Sequence, residues 1–150
     1  MKEIYKLLEI MADLRNPDGG CPWDVKQSFD SIAAYTVEEA YEVADAIERK
    51  DMDDLKNELG DLLFQVVFYS QIAREEGHFA FDDVARGICA KMIRRHPHVF
   101  GEAVYDDDEQ LRQAWEQAKS DERAEREHAL GDARAVVGHL HVEPGALAVG

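Results

Sequence analysis

Asp51–Gly77 reads D-M-D-D-L-K-N-E-L-G-D-L-L-F-Q-V-V-F-Y-S-Q-I-A-R-E-E-G. Leu55, Leu59, Leu62, Leu63, Val66, Val67 and Ile72 recur mostly at three- and four-residue intervals, which is the period of a helix. Asp51 and Asp53 suit its start, because an acidic side chain accepts from the free amides of a first turn and meets the positive end of the helix dipole. Gly77 suits its end. So wide an apolar surface predicts the central helix of an all-α fold. Gly60 sits in the middle, where glycine costs roughly 1 kcal/mol relative to alanine. Close approach of another backbone or of a ligand is one reason to keep it there, and chance is another.

The preceding helix is expected over Ser31–Arg49, with Ile32, Val37, Ala40, Val43, Ala44 and Ile47 on its apolar side. Its other side carries Glu38, Glu39, Glu42 and Asp45. The central helix carries Glu58 and Asp61. Carboxylates three or four residues apart share a helix face. If these two helices pack antiparallel, Glu39, Glu42, Glu58 and Asp61 face one another across a gap of about 8–10 Å. Like charges that close favour a cation between them. An all-oxygen donor set suits Mg²⁺ better than zinc, which prefers nitrogen and sulfur. A solvated acidic face is the plain alternative.

Three further helices complete the pattern. Ile4, Leu7, Leu8, Met11 and Leu14 mark one over residues 2–15, stopped by Asn16-Pro17-Asp18-Gly19-Gly20. Cys21–Asp24 reads as a loop, in which Trp23 is either a binding residue or a core anchor, and Asp24 a cap of the next helix. A fourth helix fits Phe81–Arg95, ending before Pro97. A loop over His96–Tyr105 leads to the capping run Asp106–Asp108, and a last helix covers Glu109–His128. The expected architecture is all-α, a four- to five-helix bundle over residues 1–128, with a poorly ordered tail over 129–150.

The formal charge of −15 argues against polymer nucleic acid and anionic membranes as partners. Cys21 and Cys89 form no CxxC pair, so neither a disulfide framework nor a zinc site is expected. The charged N-terminus is no signal peptide, and the apolar run Leu62–Tyr69 is too short to span a bilayer. A cytoplasmic protein is the expectation. Lys91, Arg94, Arg95 and His96 are the densest basic stretch of an acidic chain. Lys91 and Arg95 share a helix face, as a triphosphate site or a face of surface ion pairs would. His96-Pro97-His98 fits loop ordering better than a metal pair.

E-E-x-x-E at Glu38–Glu42 is followed, after fifteen intervening residues, by E-L-G-D at Glu58–Asp61. With G-C-P-W-D at Gly20–Asp24, Y-T-V-E-E-A-Y-E-V-A-D-A-I at Tyr35–Ile47, G-D-L-L-F-Q-V-V-F at Gly60–Phe68 and R-R-H-P-H-V-F at Arg94–Phe100, this ordered set resembles the MazG family of nucleoside triphosphate pyrophosphohydrolases, over about 120 of 150 residues. The resemblance implies an all-α pyrophosphatase fold, a homodimer or higher oligomer, and cleavage of nucleoside triphosphates between the α- and β-phosphates. It implies Mg²⁺, with Mn²⁺ as a substitute, at Glu39, Glu42, Glu58 and Asp61, and a nucleotide-housecleaning role. Glu38 is open to an outer-shell or water-positioning role, and Glu38 or Glu39 is the candidate base. Lys91, Arg94 and Arg95 are the expected phosphate contacts. Trp115 and Lys119, four apart in A-W-E-Q-A-K, are expected at base and phosphate, with a buried core tryptophan as the alternative for Trp115. Trp23 completes the candidate substrate set.

Two other readings are distinct in kind. Glu75–His78 and Glu125–His128 are E-x-x-H strings, the pattern of a carboxylate-bridged di-iron bundle, which needs both histidines inside the core. Bacterial relatives of the family carry a second, similar domain, so a non-catalytic nucleotide-binding regulator is also on the table.

Overall fold

The computed structural model describes residues 2–138, with side-chain surroundings described through residue 131. Among the described residues there are seven helices and no strand: α1 (Lys2–Leu14), α2 (Pro22–Val25), α3 (Phe29–Glu48), α4 (Met52–Glu75), α5 (Phe81–Arg95), α6 (Pro97–Phe100) and α7 (Asp108–Gly138). The five expected helices are α1, α3, α4, α5 and α7. The single-turn helices α2 and α6 replace stretches expected to be loops. Each opens with a proline, whose fixed φ and missing N–H suit a first helical position. The last helix continues beyond His128 to Gly138. Ala129 and Leu130, which follow His128, are good helix formers and carry the helix past the expected end. Residues 139–150 of the expected tail lie outside the described residues.

The chain divides into two compact units, residues 1–88 and 89–150. In the first, α4 packs along α3 and against α1. Met11 from α1, Ile32 from α3, and Val67, Phe68 and Ile72 from α4 form the buried core. The three α4 residues follow a 3.6-residue repeat, so the C-terminal half of α4 faces inward. Its N-terminal half is different. Leu59 and Leu63, expected in the apolar stripe, are 48% and 39% exposed.

Local chemistry fixes the ends. Ser28 caps α3, accepting from the Ser31 amide while the Ser31 hydroxyl accepts from the Ser28 amide. Asp24 is therefore not the cap; it lies buried inside α2. Asp51 caps α4 by accepting from the Asp54 amide at 3.0 Å. The α3–α4 turn is only three residues long and places Lys50 at φ 57°. Arg49 bridges Asp45, Asp51 and Asp54 across that turn.

Arg15 does more than the sequence suggested. Its buried guanidinium donates to the Asp24 and Gln27 carbonyl oxygens at 2.6 and 3.1 Å and to the Glu75 carboxylate at 2.8 Å. It also lies 5.5 Å from the centre of the Phe68 ring. One cation thus ties the segment around α2 to the end of α4. Gly20 closes this corner: a Cβ there would lie 2.4 Å from the Asn16 carbonyl oxygen.

Candidate metal centre and cationic cluster

The α3–α4 hairpin brings the C-terminal half of α3 beside the N-terminal half of α4. One carboxylate oxygen each from Glu39, Glu58 and Asp61 falls within 4.8 Å of the others. Glu39 and Glu58 are half-buried and Asp61 is exposed. The Glu39 carboxyl is pushed above the usual range, first by burial, then by the charges of Asp61, Glu38 and Glu42. Glu58 is pushed up likewise, by burial and then by Asp54, Asp61, Glu42 and Glu39. Asp61 and Glu42 thus act on both Glu39 and Glu58. Glu42 stands outside the tight trio and is exposed, as is Glu38.

The trio fits a hard divalent cation. Its donors are all oxygen and lie within 4.8 Å of one another, close enough to share one cation. Such a cation also relieves the repulsion that raises Glu39 and Glu58. Gly60, next to Asp61, has open space where a Cβ would go, so no neighbour among the described residues requires it.

Beneath the trio lies a small polar network. The Thr36 hydroxyl meets the Tyr69 hydroxyl at 2.5 Å and donates to the buried Gln65 side chain at 3.3 Å. Thr36 is one turn before Glu39, and Gln65 one turn after Asp61. The network fixes the α3–α4 register under the acids. Sequence reasoning placed none of these three residues, although Gln65 interrupting an apolar run was a visible signal. Trp23 is 52% exposed and packs its edge on Tyr35 at 6.1 Å. The core-anchor reading of Trp23 is thereby removed.

The second unit holds the basic residues. Arg94 and Arg95, at the end of α5, both donate to Glu122 of α7. The two arginines hold the Glu122 carboxyl down at about 2. Lys91, Arg94 and Arg126 line one cleft with Glu122 and Glu125. Lys119 pairs with Glu116 at 3.1 Å. Trp115 is half-buried, with the Arg95 guanidinium carbon 5.2 Å from its ring centre and the His96 ring at 4.8 Å. It is therefore neither a core residue nor a free one. His96 bonds the Met92 carbonyl oxygen through Nδ1 at 2.7 Å, and His98 packs on Tyr105. These contacts make the two histidines ordering groups of the segment around α6. Sequence reasoning missed Glu122, whose partners are on α5.

The di-iron alternative does not survive. Glu75 is occupied by Arg15, while His78 lies past the helix end, 61% exposed, and pairs with Glu76. His128 is exposed. Glu39, Glu58 and Asp61 are the one metal-type cluster of three or more such groups among the described residues.

Fold and carboxylate trio together define an all-α protein built around a candidate divalent-metal centre. The model of the MazG nucleotide pyrophosphohydrolase domain matches residues 27–100, which contain both acidic motifs. The chain belongs to the MazG family. It is 55% identical over 126 residues to the nucleoside triphosphate pyrophosphohydrolase of Escherichia coli K12, covering 84% of this chain and 48% of that protein. It is 44% identical over 133 residues to the nucleoside triphosphate pyrophosphohydrolase/pyrophosphatase MazG of Thermotoga maritima, covering 88% and 50%. The chain thus spans about half the length of these relatives. A crystal structure of a MazG-related protein from Thermotoga maritima superposes with a TM-score of 0.63 at 26% identity, covering 77% of this chain and 98% of that one.

Proposed function

We propose that this chain hydrolyses nucleoside triphosphates between the α- and β-phosphates, giving a nucleoside monophosphate and pyrophosphate with Mg²⁺ as cofactor. The observation that carries the reading is the Glu39–Glu58–Asp61 trio, three oxygen ligands from two helices within 4.8 Å. The activity named for its relatives supports it. Glu39, Glu58 and Asp61, with Glu42 beside them, hold Mg²⁺, or Mn²⁺ in its place. The bound cation neutralises phosphate oxygens and acidifies water. The water oxygen bonds to a phosphorus of the α–β bridge, Glu38 or Glu39 accepts the water's proton, and the bridging P–O bond breaks to release nucleoside monophosphate and pyrophosphate. Lys91, Arg94, Arg95 and Lys119 meet the phosphate oxygens and the charge gathering on pyrophosphate. Trp115 and Trp23 offer faces or edges to a base.

The active form is a homodimer or higher homo-oligomer. Val37 and Tyr41 on α3 are 56% and 72% exposed, an apolar surface costly to leave in water. Housecleaning of surplus or non-standard nucleotides in the cytoplasm is the physiological reading. The charge of −15 argues against polymer nucleic acid as substrate.

A panel of NTPs and dNTPs with Mg²⁺ tests the reaction. Pyrophosphate and monophosphate are expected from at least one of them. Nucleotide binding without pyrophosphate release would favour the non-catalytic regulator instead.

A further inference from the structure

Glu122 belongs neither to the metal trio nor to the residues assigned to substrate. It is nevertheless among the most buried charged side chains of the chain, at 6% exposure. Its Oε1 accepts from Arg94 Nη2 at 2.6 Å and from Arg95 Nε at 3.1 Å, and its Oε2 accepts from Arg95 Nη2. We propose that Glu122 is a positioning residue for polyphosphate binding, which orients Arg94 and Arg95 before the nucleotide arrives. The inference rests on the reading of Lys91, Arg94 and Arg95 as phosphate donors.

The geometry gives three reasons. First, Arg95 spends one edge of its guanidinium, Nε and Nη2, on Glu122, while its Nη1 makes no hydrogen bond among the described residues. A bidentate edge fixes the plane of the group, so Nη1 points in a set direction. Second, that plane lies by Trp115, 5.2 Å from its ring centre. The carboxylate therefore sets an arginine and an aromatic ring together. Third, the charge remains positive. Two arginines share one carboxylate, and Lys91, in the same cleft, has no ion-pair partner among the described residues. Arg94 keeps 56% of its side chain exposed, against 14% for Arg95. A long side chain held in place on folding does not lose that freedom again on binding.

A competing role is physically distinct. Glu122 could act as a stand-in anion that the triphosphate must displace, and its removal would then tighten binding. A purely structural role would lower the melting temperature and leave affinity unchanged.

The test is equilibrium binding of an α,β-methylene nucleoside triphosphate with Mg²⁺ to the full chain, as wild type, Glu122→Gln, Glu122→Asp and Lys91→Ala. Melting temperatures are taken without nucleotide. Glu122→Gln preserves shape, so a folded variant is available for comparison. Its Kd is expected to rise about tenfold, the lower end of what outer-shell partners contribute to a site. Glu122→Asp restores most of the loss, because the charge is kept. With a turnover substrate kcat/KM falls by about the same factor, and Glu122→Asp restores it. Unchanged or tighter binding by folded Glu122→Gln, with Lys91→Ala weakened, overturns this inference alone. Wild type that binds no analogue, or Lys91→Ala with full affinity, overturns the phosphate-site reading and this inference with it.

Discussion

Asp61 and Glu58 illustrate a trade between stability and chemistry. Burial and four like charges raise Glu58, so the ionised trio is held together against repulsion when no cation is bound. Glu58→Gln should therefore raise the melting temperature of the metal-free protein while lowering Mg²⁺-dependent activity by at least about a hundredfold, a loss at or above the range of outer-shell changes. Calorimetry in EDTA and pyrophosphate release read the two effects separately. Glu122 works in the opposite direction. Its carboxyl ordinarily titrates near 4.5 and is held at about 2 by Arg95 and Arg94. A lowered folded value means stability present above the ordinary value and lost as pH falls through about 2. The gap in melting temperature between wild type and Glu122→Gln should be full at neutral pH and should shrink from about pH 4.5 toward about pH 2. A gap that does not change with pH contradicts the ion-pair account. The acids of the trio were legible because helical spacing projects them directly. Glu122 was not, since its role depends on which residues of α5 meet α7, and no local pattern encodes that.

Helices α1, α3, α4, α5 and α7 could be read from their apolar period, with ends within a few residues except that α7 runs ten residues past His128, because caps and stops are local signals. The starts of α2 and α6 were hidden by the prolines that open them, since the same residue marks loops and first turns. α4 shows the limit of amphipathic reasoning. Its stripe is continuous in sequence, yet only the part around Val67, Phe68 and Ile72 is buried. Phe68→Ala should cost about 3–5 kcal/mol in urea unfolding, as expected for a large core side chain removed without collapse. Gly20→Ala should also destabilise, because its Cβ meets backbone oxygens of the preceding turn rather than a side chain that can swing away. If Gly20→Ala matches wild type in the same assay, the tight corner after α1 is wrongly described.

The molecule as a whole leaves apolar surface on the outer side of the hairpin that carries the acids. Tyr41→Asp should shift the chain to a smaller species in light scattering, since a charge in a desolvated interface is costly. Retention of the wild-type mass would remove α3 from the proposed interface. No described helix is long and apolar enough to cross a membrane. The central claim joins the trio to a reaction, and one measurement addresses it most directly. ³¹P NMR of a nucleoside triphosphate incubated with the protein should show monophosphate and pyrophosphate growing together with Mg²⁺, and no change in EDTA. Diphosphate with orthophosphate as products, or equal turnover in EDTA, would contradict the account.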